Sequence, residues 1–213
     1  PTVKLHVLGT SNDTISGNSA SSSGGGIVCT GRGNPIISNN AISNNTASNN
    51  GGGILNSANS NISYNIISNN TASNNGGGIV SGANSSISYN IISNNAASTG
   101  GGISCYSGSP APAISNNTIS NNTAYSSGGG IYCSNTSPTL SNNTISNNSA
   151  TNGGGLYCTG NSDPSLLNTI LWSNTASTSG NQVFLNTDAS DPNFYYCDVQ
   201  GDTTAFGLNG YSY

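Results

Sequence analysis

Six aspartates, one histidine and five cysteines form most of the chain's stock for acid–base, nucleophilic or soft-metal chemistry, and glutamate is absent. Asp188, Asp191, Asp198 and Asp202 fall within the 15 residues from 188 to 202. Carboxylates paired in space could hold a proton donor and an acceptor across a glycosidic bond. Residues of this kind more often cap turns, and Asp191-Pro192 reads as turn initiation. Asp13 and Asp163 are isolated in sequence. His6 is the only imidazole, far in sequence from every aspartate but Asp13, so a Ser-His-Asp relay has little to stand on. The glycine-rich segments lack the Lys-Ser/Thr of a phosphate-binding loop and the regular Asp of calcium-binding nonapeptides. The expectation is a chain with no catalytic residue, no cofactor and no metal.

The cysteines carry more information. Cys29, Cys105, Cys133 and Cys158 each stand two residues beyond an aliphatic residue that follows a glycine triplet. Cys105, Cys133 and Cys158 come from consecutive copies, a spacing compatible with a disulfide between neighbours, although three cannot all pair. A straight column does not give zinc its tetrahedron. Buried thiols and one bond between neighbouring copies stay open, as does a bridge from Cys29 or Cys197 to another subunit. Five cysteines also fit an oxidising, extracellular setting.

What must position these side chains is a repeat. Gly24-Gly25-Gly26-Ile27 returns at Gly51, Gly76, Gly100, Gly128 and Gly153, with copies 27, 25, 24, 28 and 25 residues apart by subtraction. A period in that range signals a solenoid. The copy starting at Gly128 shows three short segments: Gly128–Cys133, Pro138–Thr144 and Ile145–Ala150. Each carries one or two aliphatic positions, and Gly, Asn, Ser and Pro separate them. Aliphatics do not recur at three and four, so helices are not expected. The fold class read from this is all-β: a parallel β-helix with three short strands per coil of about 25 residues and seven to eight coils. A single domain is expected over residues 1–213, irregular over 1–23, regular over 24–180 and irregular again over 181–213. Val3, Leu5 and Val7, alternating with Lys4 and His6, read as an opening strand.

Stacked coils pile like residues in files. Ile42, Ile67, Ile92, Ile119, Ile145 and Leu171 make one inward file. Ile37, Ile62, Ile87, Ile114, Leu140 and Leu166 make a second. Ile27, Ile54, Ile79, Ile103, Ile131, Leu156 and Val183 make a third. Asn18, Asn45, Asn70, Asn95, Asn122, Asn148 and Asn174 form a barely varying asparagine file, read as an inward structural amide ladder rather than a ligand site. Asn40, Asn65, Asn90, Asn117 and Asn143 form another, and the position before it admits Tyr64 and Tyr89. That looser position is expected to face solvent. Val28, Leu55, Val80, Ser104, Tyr132, Tyr157 and Phe184 fall outward by alternation. They form either a lateral contact stripe or a file lying under a loop.

Ile15-Ser16-Gly17-Asn18-Ser19-Ala20, followed by Gly24-Gly25-Gly26-Ile27, resembles the repeats of polymorphic outer-membrane proteins. Residues 170–201 resemble the tail of the β-helix repeat of secreted, surface-anchored bacterial proteins. The resemblance covers about residues 15–180 and implies a right-handed β-helix, secretion, and adhesive or surface-structural roles. It implies no catalytic residue, because the matching motifs are structural. Gly stands where those repeats often have Ala, charge is scarce, and a translocator barrel is not expected within residues 1–213.

Charged residues are 4% of the chain and the formal net charge is -4. Two basic residues, Lys4 and Arg32, cannot neutralise a nucleic-acid backbone or dock on an anionic membrane. No apolar run reaches the length of a membrane-spanning helix. A chain opening at Pro1 is read as already processed. Three functions follow. The first is a non-enzymatic extracellular structural protein, a partner to itself, stacking end to end into a surface filament through uncapped ends. The second is ice binding by the row Ser43, Ser68, Ser93, Ser120 and Ser146 with Thr46, Thr71 and Thr123 nearby. The third is a surface adhesin for glycan or protein. Sequons such as Asn44-Asn45-Thr46 and Asn121-Asn122-Thr123 put the acceptor at the outward position.

Overall fold

The structure, a computed structural model, describes residues 12–31, 33–82, 84–106, 110–201 and 205–209. The opening strand expected at Val3–Val7, with Lys4 and His6, lies outside the described residues, as do Arg32, Asp202 and much of the tail. Among the described residues there is no helix, and thirty short strands form four wholly parallel sheets.

Successive strands of one coil belong to successive sheets. Sheet A holds Thr14–Ser16, Ala41–Ser43, Ile66–Ser68, Ile91–Ser93, Thr118–Ser120, Thr144–Ser146, Ile170–Trp172 and Asp198–Val199. Sheet B follows with two- to five-residue strands from Ser19–Ala20 to Thr175–Ser179. Sheet C carries the residues after each glycine triplet, from Ile27–Cys29 to Phe206–Leu208. Sheet D closes the coil, from Ile36–Ser38 to Asn193–Tyr195. Sheets A and C have eight strands, B and D seven, which gives seven complete coils.

The count of strands per coil corrects the sequence reading, which had three. Ile145–Ala150 is not one segment: Asn147 takes a left-handed backbone (φ 56°) and turns the chain, so Thr144–Ser146 lies on sheet A and Ser149–Asn152 on sheet B. The additional strand brings a fourth inward file, with Ala47, Ala72, Ala97, Ala124 and Ala150 buried.

The three expected aliphatic files pair in register, Ile92 with Ile67 and Ile119, Ile87 with Ile62 and Ile114, Ile79 with Ile54 and Ile103. Nearly all are fully buried, each contributing about 1.5–3 kcal/mol of burial. Strand hydrogen bonds run from coil to coil, so backbone groups are satisfied with almost no charge in the protein. At the last coil, Phe194 and Phe206 take the inward places and meet edge to face, ring centroids 5.8 Å apart.

Candidate functional site

The corner between sheets A and B carries the first asparagine file. The Asn45, Asn70, Asn95, Asn122 and Asn148 side chains each donate through Nδ2 to Oδ1 of the next asparagine at 3.0 Å. Asn18 opens the file with the same bond to Asn45 at 2.9 Å, and Asn174 ends it. Each Oδ1 also accepts a backbone N–H from the preceding coil, as Asn122 Oδ1 does from Asn95 N. The Nδ2 reaches back to an inward residue's carbonyl, as Asn122 does to Ile92. At the far end Gln182 replaces a third glycine, and its Oε1 accepts from Asn174 Nδ2 at 2.7 Å. The second file, at the corner between sheets D and A, repeats the pattern from Asn40 to Asn143, where Thr169 supplies the next acceptor.

The glycine triplets form the corner between sheets B and C. A Cβ on Gly129 would stand 2.5 Å from the Ser149 carbonyl oxygen and 2.6 Å from that of Gly154. On Gly130 it would stand 2.7 Å from the Gly155 carbonyl oxygen and 3.0 Å from Asn148 Nδ2. The triplet is therefore backbone packed directly against backbone.

That corner also decides the outward file. Of the two readings of that file, an open contact stripe or a covered row, three of the six apolar members are covered: Val80 is 0%, Tyr157 8% and Phe184 6% exposed. Val28, Leu55 and Tyr132 are half-buried. The first glycine of each triplet has no side chain, so the outward residue four positions on lies over it. A Cβ on Gly153 would come 2.9 Å from Tyr157 Cβ. Tyr132, Tyr157 and Phe184 stack in this groove, with centroids 5.3 and 5.2 Å apart. Burial raises the Tyr132 and Tyr157 hydroxyls above the ordinary tyrosine range.

Cys105, Cys133 and Cys158 face the core in register, fully buried, and all five cysteines are free thiols. The Cys105 thiol is pushed well up by its contact with Cys133, and by burial after that. For Cys133, the Cys105 contact pulls down, yet Cys158 and burial outweigh it and the thiol again lies well above its usual range. Cys29 is buried beside Asn56 in the next coil, and Cys197 is half-buried. The four buried cysteines are inert core thiols rather than nucleophiles.

Among the described residues the acids do not converge on a site. Asp163, Asp188, Asp191 and Asp198 are exposed, and Asp163 Oδ1 accepts from the Asp191 backbone N–H of the next coil at 2.7 Å. Among the described residues no group of His, Cys, Asp or Glu could hold a metal ion. The serine and threonine rows part company too: Ser43 and its equivalents lie on sheet A, Thr46 and its equivalents on sheet B around the corner.

What sequence reasoning left unassigned is the outer edge between sheets D and A. Each coil turns there with one left-handed residue: Asn39, Tyr64, Tyr89, Asn116, Asn142, Asn168 and Tyr196. Asn tolerates that backbone, whereas a bulky side chain is strained in it. Tyr64 (φ 58°) and Tyr89 (φ 57°) are 58% and 51% exposed, and their rings stack nearly parallel with centroids 4.9 Å apart. Exposed Ile66 and Ile91 flank them. Further along the same edge, Leu167, Ile170, Tyr195 and Tyr196 are exposed, and Trp172 is exposed at the far end of the sheet A strand that Ile170 opens. The tyrosines at the variable corner position were the signal in the sequence, but their strain is visible only in the backbone.

A family model described as the right-handed β-helix region matches residues 3–138 and again residues 114–210. Searches of the curated proteins and of the solved structures return no match.

Proposed function

The chain belongs to the right-handed β-helix family, and from that premise we propose that it is a non-catalytic, extracellular recognition rod. Its rigid solenoid holds an aromatic and amide edge toward another molecule, as an adhesin does. One observation carries this reading: Tyr64, Tyr89 and Tyr196 occupy left-handed positions while mostly in solvent. A left-handed non-glycine residue costs about 1–2 kcal/mol, and an aromatic stack returns about 0.5–1.5 kcal/mol. For the Tyr64–Tyr89 pair the two left-handed costs exceed the stacking return, so the stack alone does not explain the choice of tyrosine. Strain retained at an exposed site is a mark of function.

The test needs no ligand. In the double variant Tyr64→Asn/Tyr89→Asn, thermal and urea denaturation should show a protein about 1 kcal/mol more stable. A clear loss of stability would make the stack a structural brace and remove the reading.

Self-association end to end is a second reading. Its support is the first coil, where Thr14–Ser16, Ser19–Ala20, Ile27–Cys29 and Ile36–Ser38 are each paired on one side only among the described residues, and Ile15 is half-buried. The other end has its core filled by Phe194 and Phe206 and its ladder met by Gln182, which leaves a stacking copy less to complete. Electron microscopy of the native protein at high concentration separates filaments from single particles.

A further inference from the structure

Seven of the eleven large hydrophobic side chains exposed among the described residues stand on sheet A or on its left-handed corner with sheet D. We propose that a second copy of the chain lies along this strip, antiparallel, sheet A against sheet A. The inference rests on the reading of this edge as a recognition surface and names its partner.

The strip has the necessary size. Four of the seven are aromatic, with about 150–250 Å² of surface each, and all seven are between 41% and 88% exposed. Together they leave about 700 Å² of apolar side chain in water. The largest apolar patch of an ordinary monomer is about 300–600 Å², and a stable complex takes about 800 Å² from each partner. The half-buried row Ser68, Ser93, Ser120 and Ser146 beside it supplies the remainder and lets two sheets approach closely.

The order of residues selects the partner. The strip is symmetric about a point between Thr118 and Thr144, which pair in register. Ile91 stands one coil before Thr118, and Ile170 one coil after Thr144. At the corner, Tyr64 lies two coils before Asn116 and Tyr196 two coils after Asn142. A copy reversed about that point sets Ile91 against Ile170, Tyr64 against Tyr196 and Thr118 against Thr144. Each contact is made twice, as a two-fold interface requires. Trp172 comes opposite Ser93, whose small side chain leaves it room. Both copies rise about 4.8 Å per coil, so the match holds along the strip, whereas a partner without that period meets it at one coil only. A parallel pairing would turn the isoleucine row onto the serine row, and the tyrosine corner onto that of Asn69, Asn94 and Asn121.

Charge leaves one mark on this arrangement. Asp198 is the only charged residue in the strands of sheet A, and the reversed copy brings it against Ile66. The two Asp198 side chains lie at opposite ends, so they do not repel each other. A carboxylate covered by isoleucine still loses water, which weakens the pair. Removing that carboxylate strengthens it.

The test is sedimentation velocity of the whole chain from about 1 µM to about 1 mM. The wild-type protein should pass from monomer to dimer across that range, and Asp198→Leu should do so at concentrations at least about tenfold lower. Ile91→Thr/Ile170→Thr gives both coils the residue that Thr118 and Thr144 supply next to them. It should keep its circular dichroism and weaken the dimer at least about tenfold. In a Cys197→Ser background, a short bismaleimide should join Ile66→Cys chains to Asp198→Cys chains in a mixture, and neither variant to itself. A wild type monomeric throughout overturns the proposal, as does a dimer indifferent to Ile91→Thr/Ile170→Thr or cross-linked only between like residues. A monomer whose Tyr64→Asn/Tyr89→Asn variant is stabilised loses this partner and keeps the recognition reading. A monomer whose double variant is destabilised loses both.

Discussion

The Asn122 side chain donates to Asn148 Oδ1 at 3.0 Å while its own Oδ1 accepts from Asn95, so one amide ties together three coils. The same amide reaches the Ile92 carbonyl at 2.9 Å. Replacing it removes several bonds at once and leaves buried partners, including the Asn95 backbone N–H, without an acceptor.

Asn122→Leu is accordingly expected to lower unfolding free energy by about 2–4 kcal/mol, the scale of leaving buried polar groups unpaired. The adjacent Asn121 is exposed and left-handed, and Asn121→Gly should change stability by only a few tenths of a kcal/mol. Urea denaturation of the two variants tests the contrast.

A second contrast uses one substitution at two glycines. Gly17→Ala meets nothing within 4 Å but has φ 68°, so its cost should stay near the left-handed penalty of about 1 kcal/mol. Gly129→Ala drives a methyl against two backbone carbonyls and should cost several times more or prevent folding. Circular dichroism and thermal melting of the two proteins decide it. Equal costs would mean that the triplet corner is loosely packed.

The buried thiols make stability fall on the alkaline side. Cys29, Cys105 and Cys133 have thiol pKa values raised in the folded state. Their contribution is complete below the unfolded thiol value of about 8.5. As pH rises beyond it, the unfolded chain releases protons that the folded chain still holds, and the contribution is lost toward the folded values. The urea midpoint should drop between pH 7.5 and about 9.5, and Cys133→Ala should show a smaller drop despite its lower starting stability. Under native conditions a thiol reagent should modify Cys197 well before Cys105 or Cys133, which mass spectrometry of the labelled peptides can follow.

Much of this fold is legible in the sequence because it repeats: the triplet at Gly128 fixes the coil, and Ile119 or Ile145 shows which positions point inward. The near-invariant asparagine also announces a structural duty before any bond to a neighbour is seen. Thr46–Ala47 escaped because a two-residue strand is too short to show alternation. Whether Val80 and Tyr157 are open or covered stayed undecided in the sequence because alternation reports the side of a strand, not what lies over that side; the missing side chains of Gly76 and Gly153 bring them under cover. Tyr64 shows only that its position tolerates change, since the sign of φ is not written in the residue type.

In-register pairing has an evolutionary corollary. A segment such as 93–119 begins and ends at the same point of the coil, so its loss would bring Ile92 against Ser120 with both neighbours finding familiar surroundings. Length is thus adjustable in whole units, about 4.8 Å at a time. What such an edit would alter is the interval between the tyrosine pair near one extremity and the tryptophan cluster near the other, making the protein a ruler whose graduations can be added or struck out.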